Sequence, residues 1–275
     1  MISIPKKEFD AQLTLMDSAQ AFHWTHCGGA FAAVCEGWPI AVRPDGDNWR
    51  IEGDESFVRR YFDLDRPYDR LCEGLDWLPQ AQRAAELLPG LRLLGQTPWE
   101  AVIAFICSAN NNTARIRTLV MMLCRDYGTH FERDGLEFCG FPAPERLAEV
   151  PEEELRQKKF GYRAKYLVET AKMVAGGYPI ESARDLPYDD ARELLMRLPG
   201  VGGKVADCAL LFGCGHMEAF PVDVWVDRLL KKWCGIDEKN RDRAARAARE
   251  KFGPNAGLIQ QYLFHCARCG LISLD

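Results

Sequence analysis

From residue 97 onward, apolar side chains recur every three or four positions in block after block, and most blocks stop at a glycine or break at a proline. WEAVIAFICSAN, ARIRTLVMMLCRDYG, YRAKYLVETAKMVAGG, DDARELLMRLPG, KVADCALLFG and AGLIQQYLFHCARCG all have this form. Such spacing lays an apolar stripe along each helix, so this part is expected to fold as an all-helical array joined by short turns. Ahead of it the period changes. AFAAVCEGWPIAVRPDGDNWRIEGD holds two strand-length runs, PIAVR and NWRIE, set off by Gly37, Pro39 and a Pro44-Asp45-Gly46 turn, which predicts an antiparallel sheet. FVRRYFDLDRPYDRL and PQAQRAAELLPGLRLL follow as helix-like stretches, and TPW at 97–99 starts the next element. The expected fold class is α+β, with an N-terminal antiparallel sheet domain and its flanking helices over residues 1–96 and an all-α domain over 97–275.

The 275 residues are 47% hydrophobic and 27% charged, the balance of a globular protein with a sizeable core. MISIPKKEFDAQLTLMD has lysines but no apolar run after them, so no secretory signal is expected. No stretch approaches the roughly 18 apolar residues of a membrane span, and a cytoplasmic protein is expected. Eleven scattered cysteines, mostly inside apolar stretches, predict buried thiols rather than disulfides. Cys266 and Cys269 form a single CxxC with no partner pair, and Cys234 does not complete a four-cysteine iron–sulfur spacing. Two ordinary helix thiols are favoured there over a zinc site. A net charge of −5 argues against binding nucleic acid through bulk charge, yet a footprint of a few positions stays open.

One stretch is hard to explain by packing alone. In LPGVGGKVADCALLFGCGHMEAFPVDVWVDRLL, residues 198–230, a glycine-rich break separates two helical runs and a lone aspartate follows nineteen residues after a lysine. Leu194, Leu195 and Leu198 share one face before the break, and Val205, Cys208, Ala209 and Phe212 share one after it. Gly200, Gly202 and Gly203 allow positive φ and close approach of another molecule, and the second helix offers unpaired N–H groups that suit a phosphate. An αα-hairpin with a generous turn is the plain alternative. Asp223 is set behind Pro221 at the start of a further helix, where its charge is favoured.

This order, L-P-G-V-G-G-K with a later Pro-Val-Asp, resembles the DNA glycosylase superfamily named for its helix–hairpin–helix, Gly/Pro loop and aspartate. It places a helix–hairpin–helix at about 190–213 in an all-α glycosylase domain, with Gly200, Val201 and Gly202 gripping the DNA backbone. A lysine at position 204 marks the bifunctional branch, making Lys204 the implied nucleophile toward the sugar C1′ and Asp223 the stabiliser of the developing cation. An amine attacks only in its neutral form, which a helix start and a partly dry pocket favour.

Four further stretches, SAQAFHW (18–24), FICSANNNTARI (105–116), FGYRAKYL (160–167) and GLIQQYLF (257–264), extend the resemblance over nearly the whole chain to 8-oxoguanine DNA glycosylase/lyases. It implies base excision repair of 8-oxoguanine paired with cytosine in double-stranded DNA, base flipping, a lysine imine and strand nicking by β-elimination. Asn110, Arg115 and Arg163 would hydrogen-bond the orphaned cytosine, with Tyr162 wedged into the stack. The carbonyl of Ala19 would read the N7 hydrogen that guanine lacks, Cys208 and Phe264 would sandwich the flipped ring, and Gln260 would read its Watson–Crick edge. A helix cap for the Asn run, an exposed helix face for Tyr162 and Arg163, and plain core packing for Cys208 and Phe264 remain the alternatives residue by residue.

Three departures from the family pattern are visible: Ala19 where glycine is frequent, His23 where FRW is commoner, and Trp225 where a histidine often follows the aspartate by two. The resemblance implies no required cofactor and no iron–sulfur cluster, a structural cation on the carbonyls of Leu198 and Val201, and a monomer of prokaryotic type, nucleoid-associated in use. The rivals are a glycosylase of the same superfamily acting on another base, and a non-enzymatic DNA clamp, which keeps Lys204 for phosphate but has no need of Asp223.

Overall fold

The computed structural model describes residues 1–274. β1 (Ile2–Pro5), β2 (Thr25–Cys27), β3 (Ala30–Cys35), β4 (Trp38–Asp45) and β5 (Asn48–Ile51) pair antiparallel in the spatial order β1-β5-β4-β3-β2. PIAVR and NWRIE are β4 and β5 as expected. The turn between them falls on Gly46 and Asp47, because Asp45 already pairs with Asn48. β3 is buried on both faces: Phe31, Ala33 and Cys35 face one cluster with Ile40, Val42 and Ile51, while Ala30, Ala32 and Val34 face another. Burial on both sides hides the period of two that a half-exposed strand would show.

Asp54 caps α1 (Glu55–Tyr61) by accepting the Phe57 N–H at 3.0 Å. α2 (Pro79–Leu87) stops before Gly90, whose φ of +79° no helix continues. Residues 91–94, which the sequence suggests as helical, instead form a buried connection without regular secondary structure. Arg92 pins it, with Nε donating to the Glu8 carbonyl at 2.8 Å and the guanidinium 4.3 Å from the Tyr68 ring centre.

Thr97 opens α3 (Pro98–Ser108) with a capping box: its Oγ1 accepts the Glu100 N–H at 3.1 Å and Glu100 Oε2 accepts the Thr97 N–H at 3.2 Å. Every residue of α3 is buried, which makes it the central post of the second part. Around it run α4 (Thr113–Tyr127), α5 (Pro144–Ala148), α6 (Glu152–Gln157), α7 (Arg163–Ala175), α8 (Tyr188–Met196), α9 (Gly203–Ala209), α10 (Val224–Leu229), α11 (Arg241–Phe252) and α12 (Ala256–Arg268). The helical array carries one insertion that the periodicity reading lacks, the hairpin β6 (His130–Arg133) and β7 (Leu136–Cys139). Asp134 and Gly135 turn it with φ of +52° and +72°, the requirement of a two-residue primed turn. Leu136 and Phe138 pack on Ala30, Ala32, Val34 and Ala41, so the hairpin covers the second face of the N-terminal sheet.

Burial decides the state of two ionisable groups here. His23, fully buried against Phe141 and Cys35, is pushed down to about 3 by desolvation and by Arg117, and stays a neutral ring. Arg117 itself donates to the carbonyls of Met16 and Trp24. Glu100, 5% exposed, is raised from 4.5 to about 7 by burial, opposed by the Thr97 N–H and reinforced by Glu36. The folded carboxyl therefore keeps a proton that the unfolded chain has lost, and stability falls as pH rises from 4.5 to 7. Glu100→Gln keeps the capping box without titrating. It is expected to be neutral near pH 4.5 and to stabilise by about 3 kcal/mol above pH 7, read from urea denaturation at the two pH values; an equal effect at both would refute the assignment.

All eleven cysteines are free and most are buried, as expected, with Cys266 inside α12 and Cys269 exposed at its end. No helix among the described residues is long and apolar enough to cross a membrane.

Candidate active site

The break at 199–202 joins α8 to α9 as a helix–hairpin–helix. Val201 N–H donates to the Leu198 carbonyl at 3.1 Å and closes the turn, and Thr170 Oγ1 of α7 donates to the Pro199 carbonyl at 2.9 Å. The three glycines serve different ends, which corrects the single explanation offered from sequence. Only Gly200 has positive φ, +79°, and a Cβ there would stand 2.7 Å from the Tyr166 side chain. A Cβ at Gly203 would run into Asp242 and Arg192. Gly202 alone of the three faces open space, with nothing near a Cβ built there. Among the described residues no three His, Cys, Asp or Glu side chains could hold a metal ion. A cation at the hairpin would rest on backbone carbonyls, and that of Leu198 already accepts one N–H.

Lys204, half-buried in the first turn of α9, donates from Nζ to Ser108 Oγ at 3.0 Å and lies 5.0 Å from the Phe105 ring centre. Ser108 sends its own hydrogen to the Phe105 carbonyl at 2.7 Å, so its lone pairs face the amine. Sequence reading missed Ser108, which sits inside the FICSANNN block but shows its role only across 96 residues. No carboxylate of the described residues forms an ion pair with Lys204. Cys208, one turn further along α9, is raised to about 11, first by burial, with Lys204 pulling it down and Asp207 and Asp223 pushing it up. One thiol thus feels the charge of both predicted catalytic residues. Asp223 is the N-cap of α10, as expected from Pro221, and its Oδ1 accepts the Val226 N–H at 2.9 Å. Val224 and Trp225 follow it exposed, with the Arg228 guanidinium 5.7 Å from the Trp225 ring centre.

A second constellation joins the N-terminal loop to α12. Ala19 stands at φ +62°, in the left-handed region where glycine is at ease. The carbonyls on either side of it are taken, Ser18 by Gln261 Nε2 at 2.7 Å and Gln20 by Gln96 Nε2 at 2.8 Å. Among the described residues none donates to the Ala19 carbonyl. Arg268 of α12 donates to the Asp17 carbonyl and, at 3.1 Å, to Thr113 Oγ1, and its guanidinium lies 5.5 Å from the Phe264 ring centre. Gln261 and Arg268 are therefore the braces of this loop, and sequence reading passed over both. Gln260, 4% exposed, buries an Oε1 with no partner, an arrangement that costs about 1–3 kcal/mol unless something else supplies a donor. Ala19 and Phe264 are half-buried and pack with Cys208 on the same core cluster. Ala19→Gly is expected to raise stability by about 0.5 kcal/mol, the relief of an L-residue in this region less the extra freedom of unfolded glycine. Thermal denaturation checks it, and a lower melting temperature would contradict it.

A third group gathers at two loops. Arg163 donates from Nε to the Ala109 carbonyl at 3.0 Å, from Nη2 to that same carbonyl, and from Nη2 to the Asn110 carbonyl at 3.0 Å. Tyr162, 47% exposed, donates its hydroxyl to the Ala109 carbonyl at 3.1 Å, and Arg115 Nη2 donates to the Lys159 carbonyl at 2.9 Å. The Asn run divides its work. Asn112 is the N-cap of α4, Asn111 donates to the Cys107 carbonyl, and Asn110 takes the left-handed conformation at φ +49°. Asn110, Arg115, Tyr162 and Arg163 thus come together on one edge, and the cap reading applies to Asn112.

Residues 103–255 match the family described as HhH-GPD superfamily base excision DNA repair protein, and residues 1–102 match the 8-oxoguanine DNA glycosylase N-terminal domain. An N-glycosylase/DNA lyase of Saccharomyces cerevisiae is 39% identical over 68% of this chain and 53% of its own length, so the chain spans about half of that relative. A probable N-glycosylase/DNA lyase of Methanothermobacter thermautotrophicus is 33% identical over 98% of this chain and 97% of its own. The Clostridium acetobutylicum 8-oxoguanine glycosylase/lyase, solved in complex with double-stranded DNA containing cytosine opposite 8-oxoguanine, superposes with a TM-score of 0.88 at 30% identity, covering 96% of this chain and 93% of that one. With its helix–hairpin–helix, its Gly/Pro loop and its capping aspartate in one fold with that N-terminal domain, this chain belongs to the HhH-GPD superfamily of base excision DNA repair proteins.

Proposed function

We propose that the chain is a bifunctional DNA glycosylase/lyase that removes 8-oxoguanine from opposite cytosine and then nicks the strand. The observation that carries this is the setting of Lys204: a half-buried amine at a helix start, held by a neutral hydroxyl and an aromatic ring, with no carboxylate tying it up as an ion pair. A clamp that only grips phosphate gains nothing from such shielding, nor from an aspartate whose charge reaches the same buried thiol as the lysine's.

In this reading the neutral Lys204 Nζ attacks C1′ of the flipped nucleotide. The Nζ–C1′ bond forms as the C1′–N9 bond breaks, and its electron pair leaves with the base, which takes a proton. Asp223 opposes the positive charge that builds on the sugar at that moment. The attached nitrogen gives up one proton, its lone pair forms C=N as the C1′–O4′ bond breaks, O4′ takes a proton, and a protonated imine remains. Loss of a proton from C2′ then expels the 3′ phosphate, and water releases the lysine. The Ala19 carbonyl, left without a donor, takes the N7 hydrogen that only the oxidised base carries, and Gln260 Oε1 finds there the donor it lacks in the free protein. Cys208 and Phe264 bound the ring. On the other strand, Arg115 and Arg163 exchange loop carbonyls for the edge of the orphaned cytosine, Asn110 joins them there, and Tyr162 fills the stack. Gly200, Val201 and Gly202 carry the phosphate backbone, and the protein acts as a monomer in its two-part division near residue 97.

Borohydride trapping tests the reading. A covalent adduct is expected on a duplex with 8-oxoguanine opposite cytosine and none on the same duplex with guanine. No adduct on either leaves the hairpin a clamp, and equal adducts on both would discard the pocket assignment of Ala19 and Gln260.

A further inference from the structure

Asp207 is a charged side chain that the lesion chemistry leaves unused, and it lies 1% exposed on α9. A buried carboxylate persists only with strong partners. Its Oδ1 accepts the Tyr188 hydroxyl at 2.6 Å and Arg192 Nε at 2.9 Å, both from α8. The other end of the same guanidinium, Nη2, reaches Asp242 Oδ1 in the first turn of α11 at 2.5 Å. That second pair rests directly on the hairpin's end: a Cβ added to Gly203 would stand 2.1 Å from Asp242 Oδ1 and 2.3 Å from Arg192 Nη2. Arg249 of α11 closes the far side, 3.4 Å from the Tyr188 ring centre.

The line of contacts starts at Asp207, passes through Arg192 to Asp242 and comes to rest on Gly203. Its two ends are the first and fifth residues of α9, and Lys204 lies between them. α9 has need of such a brace. It begins with two glycines, its N-cap Gly202 supplies no side-chain bond, and Gly is the weakest helix former after proline. Ser108 holds only the tip of Lys204, and the tip is positioned no better than the backbone that carries it.

We propose that the Asp207–Arg192–Asp242 relay is a positioning device for the Lys204 nucleophile, bracketing the first turn of α9 so that the amine meets the sugar carbon. This rests on the glycosylase/lyase reading above. Arginine suits the place because its planar fork engages two carboxylates from different edges, which an ammonium on a flexible stem does not reproduce. The same relay supplies the reason for glycine at 203, which is to leave room for the ion pair rather than for DNA.

The test uses the full chain. Arg192→Met removes both ion pairs but strands the Asp207 carboxylate, which destabilises the fold by itself, so it is paired with Arg192→Met combined with Asp207→Asn, where no buried charge is left. On a duplex with 8-oxoguanine opposite cytosine, the single-turnover rate of borohydride trapping is expected to fall at least about tenfold in the folded double variant. Affinity for a duplex carrying a tetrahydrofuran abasic analogue is expected to stay within about twofold of wild type, since the relay's contacts fall on Gly203 and none reaches the open space at Gly202. Arg192→Lys is expected to recover little of the rate. Trapping at the wild-type rate in the folded double variant overturns the proposal, leaving the relay as packing. Loss of affinity at unchanged rate also overturns it and assigns Arg192 to the DNA backbone. Should the wild type form no adduct at all, the glycosylase reading falls and the relay's role with it, an outcome distinct from the other two.

Discussion

Lys204→Gln is expected to abolish the borohydride-trapped adduct and strand nicking on a duplex with 8-oxoguanine opposite cytosine, a loss of at least about 10³-fold in single-turnover rate. Glutamine approximates the length of the lysine stem, and its amide N–H₂ can still donate to Ser108 Oγ, the acceptor now 3.0 Å from Nζ. The fold and the contact with α3 are therefore kept while the nucleophile is lost. The cation over the Phe105 ring disappears as well, at a cost of about 1 kcal/mol in stability. Binding is the discriminating readout. One charge among several phosphate contacts accounts for a few-fold change in affinity, so a duplex containing the abasic analogue should bind Lys204→Gln within about fivefold of wild type. A variant that binds tenfold or more weakly, beside a wild type that traps nothing, is the signature of a clamp and would end the enzymatic assignment. Residual trapping in Lys204→Gln would instead point to another amine as the nucleophile.

Asp223→Asn carries the second large effect, and its interest is that one residue has two jobs which this substitution separates. Asp223 Oδ1 caps α10 by accepting the Val226 N–H at 2.9 Å. Asparagine caps about as well as aspartate, so the stability of α10 should change by only a few tenths of a kcal/mol. What asparagine lacks is the negative charge offered to the sugar as it becomes cationic. Removing one preorganised electrostatic contact of this kind costs roughly 10²–10³ in rate. Single-turnover excision measured beside thermal denaturation is expected to give a slow enzyme with a nearly unchanged melting temperature. A rate within a few-fold of wild type would reduce Asp223 to a helix cap; a melting temperature that falls in step with the rate would make the charge structural.

Much of this molecule was legible from short stretches of chain. The period of three to four residues after position 97, the Thr-Pro-Trp start at 97–99, the glycines around position 200 and the aspartate behind Pro221 act within a turn or two of themselves, and each led to the element found. The hairpin at 130–139 was equally local, since Asp134 and Gly135 sit between alternating residues in HFERDGLEFC; it is missed when the stretch between two helical blocks is taken as a plain connection. Residues 91–94 fail in the opposite way: LRLL has the composition of a helix end, but Arg92 makes its contacts with Glu8 and Tyr68, far back in the chain, and the backbone there is not helical.

The site itself divides along the same line. Which residue types the proposed chemistry calls on, and that they stand in the order Ala19, Asn110, Lys204, Asp223, Gln260, is a property of the sequence. What surrounds each of them is not. Ser108 meets Lys204 across 96 residues, Arg192 meets Asp242 across 50, and Gln261 and Arg268 reach back 243 and 251 residues to the loop that carries Ala19. Turn chemistry, capping and periodicity are set by neighbours a few bonds away, so one sequence suffices to read them. Pairings over such separations exist only once packing has excluded water and brought distant helices into contact, and that is why the amino-acid order alone determined the helix–hairpin–helix and its lysine, while the tertiary structure decided what holds the lysine in place.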